Sequence, residues 1–107
     1  MASEYDLLKE KYPLQVNEDL INRMGYVFLE ANLLDEAIDT FKLNVEKYPQ
    51  SFNAYDSLAE SYLESGNKDL AMKNYEISLK LNPQNTNAIE QLKKLREKQD
   101  VSKRKID

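Results

Sequence analysis

Pro49 and Pro83 stand 34 residues apart, and the chain around them repeats at that interval. When one segment is laid on the other, Ile21 falls on Tyr55, Met24 on Leu58, Gly25 on Ala59 and Phe28 on Tyr62. Further along, Ala37 falls on Ala71, Phe41 on Tyr75 and Asn44 on Ser78. Large residues meet large ones, and small residues meet small ones. A fixed period of this length builds a stack of similar units, each burying its apolar face against its neighbours. The tetrapeptide Glu-Lys-Tyr-Pro carries the same punctuation, at 10–13 and again at 46–49.

Within each unit the spacing is helical. Ile21, Met24 and Phe28, like Leu58 and Tyr62, recur at three- and four-residue intervals, which lines up one apolar stripe on a helix. Ala37 and Ala71 supply a small side chain where the two helices of a hairpin approach. Asn32 and Gly66 fall between helices and are residue types that tolerate left-handed backbone. Pro49 and Pro83 stop the second helices. Ser51 and Asn85 then offer N-caps to the next ones. With two Gly and three Pro in 107 residues, the chain has few of the turns that many short strands require.

The spacing predicts an all-α fold with six helices, at 3–11, 18–31, 34–47, 53–65, 68–81 and 86–99. Units 18–51 and 52–85 form two full helix pairs. Residues 86–99 keep Ile89, Leu92 and Leu95 on one face and basic residues elsewhere, the form of a capping helix. Residues 100–107 are expected to be a frayed basic tail. The segment Tyr5–Pro13 matches Phe41–Pro49 at five of nine positions, so 1–13 reads as a half-repeat whose first helix lies outside the sequence. Ser3 and Asp6 would cap it. The whole of 1–107 is then one domain.

The period and its residues resemble the tetratricopeptide repeat, whose signature runs large residue, Leu-Gly, Tyr, then Ala, Phe, Ala and Pro. The resemblance covers 18–85, with Ile21 or Tyr55 at the first large position instead of Trp. It implies an α-solenoid of antiparallel helix pairs and an interaction scaffold. It also implies that the first helix of each pair lines a concave groove. In unit one the matching residues are Asp19, Asn22, Tyr26, Leu29 and Glu30, with Arg23 the one nearby base. In unit two they are Asn53, Asp56, Glu60, Leu63 and Glu64, and the capping helix continues the row with Asn87, Glu90 and Lys94. Up to Glu90 the row holds six carboxylates and no Lys. The expected ligand is a basic or neutral extended peptide: carboxylates attract its charge, Asn22, Asn53 and Asn87 bond its backbone, and Tyr26, Leu29 and Leu63 anchor it. Replacing Asp56, Glu60 and Glu64 with Ala is expected to leave folding intact and weaken such a ligand. The chaperone-binding members of the family grip a terminal carboxylate with basic residues. The matching positions here are Asn22, Tyr26, Ser57, Asn87 and Gln91, so that ligand is not expected.

Composition narrows the chemistry. The chain has no Cys and no His, which removes thiolate nucleophiles, imidazole bases and the usual zinc sites. No nucleophile elbow, phosphate loop or His-Glu-x-x-His occurs. Ser-x-x-Lys appears at 65–68 and 102–105, within the reach of chance for seven Ser and twelve Lys. No catalytic residue, cofactor or metal is therefore expected. Residues 1–92 carry 16 acidic and 8 basic side chains, an acidic body that argues against a nucleic-acid surface. Residues 93–105 carry 7 basic and 2 acidic ones, read as a solvated helix end favoured by the helix dipole. No apolar run approaches the ~18 residues of a membrane span.

The wording from Leu20 to Pro83 is also similar to the short C-terminal repeat modules of bacterial serine hydrolases and esterases. That resemblance implies a catalytic domain ahead of the repeats. The module would then dock on that domain, on a second copy of itself or on a partner protein. The default compartment is the cytoplasm, or outside it for a module cut from a secreted hydrolase.

Overall fold

The computed structural model describes residues 17–106, with side chains described through Gln99. The half-repeat segment and its capping box lie outside the described residues. Five helices follow one another: α1 (Glu18–Glu30), α2 (Leu34–Lys47), α3 (Phe52–Glu64), α4 (Lys68–Leu81) and α5 (Thr86–Ile106). No strand occurs among the described residues. α1 pairs with α2 and α3 with α4, α2 lies across α3, and α5 covers α4. This is the stacked-hairpin architecture of an α-solenoid.

Each device of the chain recurs one period on. α1 is capped by the Asn17 side chain accepting from Leu20 N at 3.1 Å, α3 by Ser51 accepting from Ala54 N at 3.2 Å, and α5 by Asn85 accepting from Ala88 N at 3.4 Å. Such caps satisfy orphan amides of the first turn. α1 and α3 also end alike. Asn32 (φ 60°) and Gly66 (φ 85°) take the left-handed conformation. The amides of Leu33 and Asn67 then reach back to the carbonyls of Phe28 and Tyr62, both at 2.9 Å. This is the Schellman closure, which turns the chain sharply into the second helix.

The main core runs through the stack, from Ala37 and Phe41 through Leu58, Tyr62 and Tyr75 to Leu92 and Leu95, and a smaller cluster forms around Ile21. Ala37, Ala54, Ala59, Ala71 and Ala88 are all fully buried, as close helix crossings require. Phe41 and Tyr75 fill the matching positions of the two units, and burial of each ring contributes roughly 2–3 kcal/mol. Polar residues tie the second helix of each unit back to its first. Asn44 Nδ2 donates to the Glu18 carbonyl at 3.4 Å, and 34 residues later the Ser78 hydroxyl donates to the Phe52 carbonyl at 2.8 Å.

The last helix departs from the expectation drawn from the sequence. It does not stop at Gln99 but continues to Ile106. Residues 100–106 hold no Gly or Pro, and Lys and Arg are good helix formers, so nothing local breaks the helix. The expected boundaries of the other four described helices hold to within one residue.

Candidate functional site: the α1–α3–α5 face

Tyr26, on α1, is the best-fixed residue of the row. Its ring packs edge-on against Phe41, with centroids 5.1 Å apart and an interplanar angle of 70°. Its hydroxyl lies 2.6 Å from Glu60 Oε2 and 3.2 Å from Ser57 Oγ, both on α3. A phenol has one hydrogen. Tyr26 therefore donates to the carboxylate, and the Ser57 hydroxyl donates to Tyr26. Burial and the bond to Glu60 push the Tyr26 hydroxyl well above its ordinary pKa. Tyr26 and Glu60 are equivalent positions, one period apart.

Asp56 is held from the other side. Its Oδ2 accepts from Asn85 Nδ2 at 2.7 Å and its Oδ1 from Asn87 Nδ2 at 2.8 Å. The buried Asn85 amide also donates to Ser78 Oγ at 2.9 Å. Asn85 thus joins α3, α4 and α5 while capping α5. Beneath this network lies Tyr75, whose hydroxyl pKa is raised by burial first and then by the charges of Asp56 and Glu60.

These bonds redistribute the roles expected from the sequence. Asp56 and Glu60 belong to the internal network, so removing them perturbs the stack as well as the surface. Asn87 is engaged by Asp56, and Asn22 Oδ1 is buried without a hydrogen-bond partner. Asn53 keeps an exposed side chain. Leu29 and Leu63 are half-buried against the core, so each shows the surface only an edge. Asp19, Arg23, Glu30, Glu64, Glu90 and Lys94 are exposed. None of the carboxylates in the row is ion-paired with a described residue. The described ion pair, Arg96 to Glu76 at 3.4 Å, joins α5 to α4 elsewhere. Ser57, Asn85 and Ser78 were not assigned to the row. The signal for Asn85 was its place as a cap, 34 residues after Ser51.

A depression of about 440 Å³ opens away from this row, between Phe28 and the α2 residues from Glu36 to Glu46, and no residue of the row lines it. No helix among the described residues is long and apolar enough to cross a membrane.

No match was found among curated proteins. The family model described as tetratricopeptide repeat matches residues 23–51 and 54–85, more than half of the chain and in the same two units that the 34-residue period defines. The chain belongs to the tetratricopeptide repeat family.

Proposed function

We propose that the chain is a protein-interaction module whose α1–α3–α5 face receives a basic or neutral extended segment. Tetratricopeptide repeats generally mediate protein–protein interaction. The observation that carries the finer reading is the set of exposed carboxylates, Asp19, Glu30, Glu64 and Glu90, none ion-paired with a described residue. Exposed carboxylates steer cations at long range, in a salt-dependent way. Glu30 and Glu64 stand one unit apart on neighbouring helices, so a segment crossing the stack meets both.

The test uses two ten-residue peptides of alternating Ser with either Lys or Glu. The Lys peptide is expected to bind and the Glu peptide not to. The triple change Glu30→Gln, Glu64→Gln, Glu90→Gln is expected to weaken binding about tenfold or more, near 1.4 kcal/mol. Stability should stay within about 0.5 kcal/mol, because all three side chains are exposed. Equal affinity for the two peptides, or affinity indifferent to the triple change, overturns the reading.

A second reading makes the module an appendage of a serine hydrolase, docked through its end. It draws on Ile89, which is 45% exposed although its equivalent Ile21 is buried against Leu20, Leu43 and Tyr48. The difference has a physical cause: among the described residues α5 has no second helix of its own to cover that position. Under this reading Ile89→Ser, which adds no charge beside Glu90, disrupts docking on the catalytic domain and leaves the Lys-peptide affinity unchanged.

A further inference from the structure

The two units hold three equivalent polar positions where one helix pair meets the next, and fill them differently. In the second unit they are Asp56 on α3, Ser78 on α4 and Asn85, the cap of α5. One nitrogen serves two acceptors there: Asn85 Nδ2 donates to Asp56 Oδ2 at 2.7 Å and to Ser78 Oγ at 2.9 Å. The Ser78 hydroxyl spends its own hydrogen on the Phe52 carbonyl. Both side-chain oxygens therefore have a donor.

In the first unit the same positions are Asn22 on α1, Asn44 on α2 and Ser51, the cap of α3. The amide has moved from the cap to the second helix. Its Nδ2 donates to the Glu18 carbonyl at 3.4 Å, as the Ser78 hydroxyl does to that of Phe52. The Ser51 hydroxyl donates to the Glu18 carboxylate. No donor remains for the acceptors: Asn22 Oδ1 and Asn44 Oδ1 are both buried without a hydrogen-bond partner. Asn53, at the position of Asn87, is exposed and does not bond Asn22 Oδ1. Leaving a buried acceptor without a donor is costly, and here two stand at one junction.

We propose that one internal water molecule bridges Asn22 Oδ1 and Asn44 Oδ1, in the place that the Asn85 amide nitrogen takes in the second unit. The hydrogen count closes. Two oxygens lack donors, and water brings two O–H groups without adding charge. Each O–H donates to one amide oxygen at about 2.7–3.0 Å. The spacing also agrees: Asp56 Oδ2 and Ser78 Oγ, one period on, both lie within reach of a single nitrogen. The water ties α1 to α2 behind the α3 cap, and its site is independent of the peptide-binding reading.

A crystal structure of the full chain, at a resolution that shows ordered water, tests this. Density within hydrogen-bond distance of both oxygens is expected. A direct bond between the Asn22 and Asn44 amides, or a dry junction, overturns the proposal. In solution, the Asn44 side-chain amide protons should show cross-relaxation with a long-lived water; its absence also overturns it. The paired change Ser51→Asn with Asn44→Ser transplants the second unit's arrangement and keeps a good cap. It puts a donor nitrogen in the water's place, so the density should vanish. Density that persists beside the new amide would mean that other groups hold the water, and overturns the bridge.

Discussion

Gly25 of α1 lies directly against the Phe41 ring of α2. A Cβ built there would stand 2.3 Å from Phe41 Cε1 and 2.7 Å from its Cδ1, inside any real contact. Phe41 is fully buried and cannot swing away. The equivalent pair in the second unit is Ala59 with Tyr75, so that hairpin already has room for the methyl group. Gly25→Ala is expected to cost about 1–3 kcal/mol through overpacking, despite the higher helix propensity of Ala, and the matching Ala59→Gly less. Urea unfolding of both variants checks this; a Gly25→Ala protein as stable as the parent would mean that the hairpin of α1 and α2 opens freely. The sequence showed that position 25 must be small, from its match to Ala59. It did not show that a ring fills the space. Nor could one sequence reveal that Tyr26 and Glu60, equivalent residues assigned to the same surface, bond each other. That bond depends on how far apart neighbouring units sit, which a repeat period does not state.

At the level of elements, most of the fold was legible because the punctuation is local chemistry. Caps at Ser51 and Asn85, left-handed residues at Asn32 and Gly66, and prolines after the second helices all act within a few residues of where they are written; the cap at Asn17 was not read from the sequence. The end of α5 was less legible because it depends on an absence: with no breaker, the helix simply continues. The caps also differ in what else they hold. Asn17 makes one capping bond, whereas Asn85 caps α5 and also binds Asp56 and Ser78 from a buried position. Asn17→Ala is expected to cost about 1 kcal/mol, the usual loss of a cap. Asn85→Ala is expected to cost two to three times as much, because Asp56 and Ser78 each lose a donor where water replaces it poorly. Measured by urea unfolding, equal losses would show that the Asp56 network adds nothing to the cap.

Across the whole molecule, the stack measures 57 Å by 28 Å by 21 Å, and each unit touches mainly its neighbours. Stability in such an array is close to a sum of unit and interface terms, and two units stand near the lower limit for folding. The core nevertheless runs unbroken from Ala37 to Leu95, so the units share one set of buried contacts. Ala37 and Ala71 sit at the helix crossings of the two units, both fully buried. An Arg at either place adds bulk at a close crossing and an unpaired charge in the interior, an effect of several kcal/mol. The separate cluster around Ile21, Leu20, Leu43 and Tyr48 holds one fully buried residue, too little for the first unit to fall back on. Ala37→Arg is therefore expected to abolish the folded state as completely as Ala71→Arg, although it lies at one end. Circular dichroism melting and amide exchange read the outcome. Loss of the cooperative transition in both variants supports one indivisible core. A protein with Ala37→Arg that keeps α3–α5 helical, protected and melting cooperatively would show instead that the second unit folds without the first.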